Sequence, residues 1–188
     1  MKAFCGSMSV AILALTFGMN VSAQETPVAK VAAKNATFDK LKTLKGDWEI
    51  VRGPGGHGAH AGGVSYKVIA SGSALQETIF GGTDHEMVTL FYQDGEEMAL
   101  THYCMLQNRP VMREKRQSDP NKIVFACRKE DNLRIEAEDH MHEVTFTFTD
   151  ADHVKAEWVM YKGGKADGAH AFEFVRRKKP QTAVQISP

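Results

Sequence analysis

From Trp48 onward apolar and polar residues alternate with period two, the mark of strands that bury one face and wet the other. The pattern predicts strands at Trp48 to Arg52, Val64 to Ala70, Ala74 to Phe80, Glu86 to Tyr92, Glu97 to Met105 and Pro110 to Arg116. It continues with Lys122 to Cys127, Leu133 to Ala137, Glu143 to Phe148, Val154 to Tyr161 and Ala169 to Arg177. Short turn clusters separate them, among them Gly81-Gly82-Thr83-Asp84, Asp94-Gly95, Ser118-Asp119-Pro120-Asn121 and Gly163-Gly164-Lys165. Such turns imply antiparallel neighbours. About ten strands with no long helix leave exposed edges unless the sheet closes, so an all-β, antiparallel up-and-down barrel is expected. Ahead of the strands, Phe38, Leu41 and Leu44 recur at three-residue spacing, predicting a short helix capped by Thr37 and ended by Gly46.

Asp94-Gly95 is a strong hairpin signal. A two-residue turn there pairs Phe91 with Met98, Thr89 with Leu100, Met87 with His102 and His85 with Cys104, all on the likelier core face, with Tyr103 on the opposite one. In Glu143 to Phe148 the phase of Val144, Phe146 and Phe148 puts His142 inward, and His170 shares a face with Phe172 and Phe174. Trp158 lies in register with Val154, Ala156 and Met160, and Glu77 with Leu75 and Ile79. Histidines collected among Met, Phe and Trp look more like a cavity lining than a dry core. His85, His102, His142 and Trp158 are therefore the leading ligand-binding candidates, with Glu77, Tyr103 and His170 behind them.

Residues 1–23 read as a secretory signal peptide, with Lys2 before an apolar run from Met8 and Val21-Ser22-Ala23 as a small-residue cleavage site. The run is too short and too poorly flanked for a stable membrane span. The expected address is exported, in the periplasm. Residues 24–36 read as a flexible leader, 37–179 as one barrel domain and 180–188 as a flexible tail. The 23 basic and 23 acidic residues balance, which argues against a nucleic-acid surface. Cleavage would leave Cys104 and Cys127; in a meandering sheet one strand separates theirs, placing them roughly 9.6 Å apart, beyond disulfide reach, so two thiols are expected.

Gly46-Asp47-Trp48 at the start of the strand run resembles the G-x-W signature of lipocalins and other calycins, in which an Arg of the last strand packs over the Trp; Arg176 or Arg177 would serve. GSALQETIFGGTDHEMVT, DGEEMALTHYC, HMHEVTFTFTDADHVKAEW and GGK followed by FEFVR resemble an uncharacterised family of exported bacterial calycin-like barrels. That resemblance implies a fold related to lipocalins, fatty-acid-binding proteins and haem-binding nitrobindins. It carries recurrent polar positions onto Glu77, His85, Glu86, His102, Tyr103, His140, His142, His153, Glu157 and Trp158. After THYC the family shows Asn-Gln-Pro where this chain has Gln107-Asn108-Arg109-Pro110, so no role transfers to that loop.

Three readings stay open. The barrel holds a small, partly apolar ligand in a His-lined cavity; it binds haem or metal like nitrobindin; or it is a small hydrolase or isomerase using His102 with Glu77. The sequence names no cofactor, no catalytic residue and no metal-ligand set. His140 and His142, two apart on a strand, could chelate or be structural, and His57 and His60 lie in a glycine-rich loop where adventitious metal binding is the main alternative to a plain barrel-mouth role.

Overall fold

A computed structural model of the chain describes residues 35–55, 63–132, 134–135 and 137–178. The expected signal peptide, nearly all of the leader, the tail and the histidines of the glycine-rich loop lie outside the described residues. Helix α1 (Ala36–Lys42) precedes ten strands: β1 (Gly46–Arg52), β2 (Val64–Ile69), β3 (Ala74–Ile79), β4 (Met87–Asp94), β5 (Glu97–Tyr103), β6 (Val111–Lys115), β7 (Lys122–Cys127), β8 (His140–Phe148), β9 (His153–Lys162) and β10 (Lys165–Arg176). Each strand pairs antiparallel with the next, and β10 closes onto β1. The protein is a calycin-like, up-and-down ten-stranded barrel. Among the described residues no helix is long and apolar enough to cross a membrane.

Three local expectations are corrected. The helix cap is Asn35, whose Oδ1 accepts from the backbone N–H of Thr37 and Phe38. Thr37 lies inside the helix, and its hydroxyl donates to Glu114 Oε1 at 2.6 Å. Among the described residues of the strand expected at Leu133 to Ala137, Arg134, Ile135 and Ala137 are in turns, with Ile135 N–H bonded to Asn132 O and Glu138 N–H to Ile135 O. The buried Asn132 side chain bonds both polar groups of Val111 and the carbonyl of Arg128, tying this loop to β6.

The third correction concerns the β4–β5 hairpin. Asp94 pairs with Glu97, so Gly95 and Glu96 form the turn. Gly95 has φ 64°, the positive value that a type II′ turn requires at its first central position. The register is therefore two residues off the expected one, placing His102 opposite Thr89 and Phe91 opposite Leu100. Because strand faces alternate with period two, a shift of two leaves every side chain on its expected face.

One barrel end is plugged. Trp48 is buried, donates its indole N–H to Leu44 O at 2.7 Å, and meets the Tyr66 ring edge-on. Arg176, the last residue of β10, lies over the Trp48 ring at 4.1 Å. Its guanidinium also donates to the carbonyls of Thr43, Lys45 and Ala151, tying the end of α1 and the β8–β9 turn across the base. Above this plug the rings of Phe91, Phe125 and Phe146 pack at centroid distances of 5.7–5.9 Å and fill the barrel's middle. The fill stops there, and the other end is hollow.

Candidate functional site

The hollow end is a cavity of about 640 Å³, within the range of small-molecule sites. Its wall is mostly apolar: Ile79, Phe80, Met87, Met105, Leu106, Met141, Trp158, Met160 and Phe172. Four of these are methionines, whose unbranched side chains adapt to irregular ligands. At the rim, Phe80 holds φ 57°, a left-handed conformation costly for a bulky residue, while its ring packs edge-on against Phe172. Exposed Leu106 and Met105 carry the apolar surface out to the mouth.

The polar content of the wall centres on His102. Its side chain is buried, and the residue is 2% exposed. Nδ1 lies 2.9 Å from Thr89 Oγ1, whereas Nε2 has no hydrogen-bond partner. The Trp158 ring covers the imidazole at a centroid distance of 4.6 Å. Burial lowers the His102 pKa to about 4, so the ring is neutral near neutral pH.

Behind His102 runs a row of buried polar groups on four successive strands. Tyr66 sits opposite Glu77, Glu77 opposite Thr89, and Thr89 opposite His102. The Tyr66 hydroxyl donates to Glu77 Oε1 at 2.5 Å, and the Thr89 hydroxyl also bonds the Glu77 carboxyl. Burial raises the Glu77 pKa, and the two hydrogen bonds oppose that rise. Burial, then the Glu77 charge, raises Tyr66 well above its ordinary value, so it stays a phenol donor. With Thr89 donating to Glu77, its oxygen is left to accept from His102 Nδ1–H. That fixes the tautomer and leaves Nε2 a lone pair. The row thus leaves one oriented hydrogen-bond acceptor, the covered Nε2 of His102, on a residue that lines an apolar cavity.

The expected site residues divide accordingly. His85, His102, Trp158 and His170 line the cavity, with His85 an exposed loop residue at its mouth. Glu77 is one link removed, behind Thr89. Tyr103 points away and is 46% exposed, as its hairpin face dictates. His142 is not among the lining residues. A bulge between Met141 and Glu143, against Met160 and Val159 of β9, inserts an extra residue, so parity counted back from Val144 fails at His142. Met141 takes the inward place, and His142 instead stacks on Tyr161 at 3.6 Å and faces His140.

Tyr66 and Thr89 were missed by sequence reasoning. Thr89 stood on the core face of the predicted hairpin, and the signal for both was an inward carboxylate at Glu77, which must find partners on adjacent strands. Cys104 and Cys127 are free thiols, and burial raises their pKa, Cys127 to about 12 with a further push from Asp131. Cys104 contacts Met87 Sδ at 3.9 Å, the environment of an inert thiol. No protein-family model matches the chain, and no curated protein matches it.

Proposed function

We infer that the protein is an exported, periplasmic small-molecule-binding barrel of the calycin-like family that its motifs resemble. It takes a partly apolar ligand into the hollow end and accepts a hydrogen bond from the ligand's O–H or N–H on His102 Nε2. The observation that carries this reading is a buried imidazole nitrogen without a protein partner, on a residue that lines a largely apolar cavity; the nitrogen itself is covered, so its ring or that of Trp158 must shift for a ligand donor to reach it. An unsatisfied buried polar atom costs about 1–3 kcal/mol, a penalty that a ligand donor offsets. Trp158, tilted against the imidazole, offers the ligand a flat apolar face, and His85 and His170 supply polar contacts near the mouth.

The test uses a pair of apolar fluorescent probes of equal size, one bearing a hydroxyl donor and one a methyl group in its place. The wild type should prefer the hydroxyl probe by about 3–10-fold, the worth of one hydrogen bond. His102→Leu should bind both alike. Equal binding by the wild type, or a preference that survives in His102→Leu, would sink the assignment.

One observation also favours the haem or metal reading. A histidine that donates one ring N–H to a fixed oxygen and keeps the other nitrogen as a lone pair would be suited to hold a metal ion. His102 would hold the iron, Trp158 would lie beside it, and the bound group would supply ligand or redox chemistry at the metal. A Soret band in protein from its native host, absent in His102→Leu, is the expected signature; protein that stays colourless on haem titration would contradict it. The hydrolase or isomerase reading gains nothing comparable, because Thr89 stands between Glu77 and His102.

A further inference from the structure

A second group of ligating side chains lies outside the cavity wall. Cys127 of β7 and His140 and His142 of β8 bring one sulfur and two ring nitrogens within 4.8 Å of one another. We propose that these three residues bind a single thiolate- and imidazole-preferring d¹⁰ transition-metal ion, Zn²⁺ or Cu⁺.

The hydrogen bonding prepares the nitrogens. His140 is buried, and its Nδ1 lies 2.7 Å from the carbonyl oxygen of Glu138. A carbonyl only accepts, so Nδ1 carries the proton and Nε2 is a lone pair. This is the outer-shell support that metal-bound histidines characteristically have. His140 Nε2 faces His142 Nδ1 at 3.1 Å. When His142 carries its proton on Nε2, both facing atoms are lone pairs, a seat for a cation rather than a hydrogen bond.

The backbone prepares the placement. Residues two apart on a regular strand share a face without converging. Here the bulge at His142 turns its ring onto Tyr161, where it stacks at an interplanar angle of 10°, and brings it to His140 while Met141 faces the cavity. Cys127 follows directly on the last β7–β8 pair, Ala126 with Glu143, which puts its thiol at the same place. Two carboxylates lie near the group, Asp131 by Cys127 and Glu143 by His142, each ion-paired, to Arg113 and Lys115 respectively.

Bonds of about 2.0–2.1 Å to nitrogen and about 2.3 Å to sulfur imply ligand separations of roughly 3.3–3.8 Å. The widest spacing present, 4.8 Å, must close by about 1 Å, within the reach of a cysteine rotamer change. Three ligands complete a trigonal Cu⁺ site, whereas Zn²⁺ takes water in the fourth place beside half-buried His142. Binding forms two metal–nitrogen bonds and one metal–sulfur bond, and the Cys127 thiol proton leaves to solvent.

The test is titration of the metal-free full chain with Co²⁺, then with Zn²⁺ and Cu⁺ against competing chelators. One ion per chain and a thiolate-to-cobalt charge-transfer band are expected. Cys127→Ser should abolish the band and weaken Zn²⁺ or Cu⁺ binding at least about 100-fold. His142→Phe, which keeps the stack on Tyr161, should do the same and guards against a folding defect in the serine variant. A His57→Ala/His60→Ala chain should bind as the wild type does. Tight binding of either ion sustains the proposal and names the ion. It is overturned if no charge-transfer band appears, if Cys127→Ser and His142→Phe bind as well as the wild type, or if the His57/His60 variant loses binding.

Discussion

Acidification from about pH 7 to about pH 5 should destabilise the fold through His102 alone by about 2 kcal/mol. The buried imidazole has a pKa of about 4 against an ordinary 6.5, so in this window the unfolded chain takes a proton that the folded one refuses. A depressed folded pKa gives stability that is present above 6.5 and lost as pH falls towards 4. Two and a half units at 1.36 kcal/mol each set a ceiling of about 3 kcal/mol, of which about 2 is spent by about pH 5. Glu77 acts oppositely: its raised pKa lets the folded state take a proton first, so acid favours folding there. Its contribution is common to both proteins if the wild type is compared with His102→Gln, which can still bond Thr89 but does not titrate. Urea unfolding of both at the two pH values gives the measurement. The wild type should lose about 2 kcal/mol more than the variant, and a parallel loss would refute the buried, neutral imidazole on which the ligand reading rests.

Three further outcomes follow from particular contacts. Thr89→Val removes the link between Glu77 and His102; it should cost about 1–3 kcal/mol in urea unfolding and erase the preference for a hydroxyl-bearing probe, because the tautomer is no longer fixed. Arg176→Lys keeps the charge but loses the fork that reaches three carbonyls and covers Trp48, and thermal unfolding should show a loss of about 2–4 kcal/mol. Gly63→Ala should be destabilising by about 1–3 kcal/mol in the same assay, since Gly63 has φ +60° and an added Cβ would lie 2.7 Å from Trp48 O.

Alternation was enough to read the barrel, because ten antiparallel strands with one dry face repeat a single rule. Closure was legible in two places far apart in sequence, Trp48 and Arg176, whose contact joins the first strand to the last. Register was less legible. Asp94-Gly95 marks a turn without saying which two residues are central, and the two-residue error survived only because it preserved faces. The site was legible to the same degree as strand parity. His102, Trp158 and His170 fell inward because no bulge separates them from the apolar residues that set their phase, the β10 irregularity lying before Ala169, whereas His142 lay across a bulge that no local residue pattern announces. The row from Tyr66 to His102 depends on pairing among four strands, which period-two patterning does not carry.

The central claim is that the hollow end holds a small molecule against His102. Native mass spectrometry of the protein from its own host, isolated without detergent or acid, tests it most directly. A 1:1 small-molecule adduct, lost or much reduced in His102→Leu, is the predicted result. A chain of bare mass that takes up neither apolar probes nor haem on titration would contradict it.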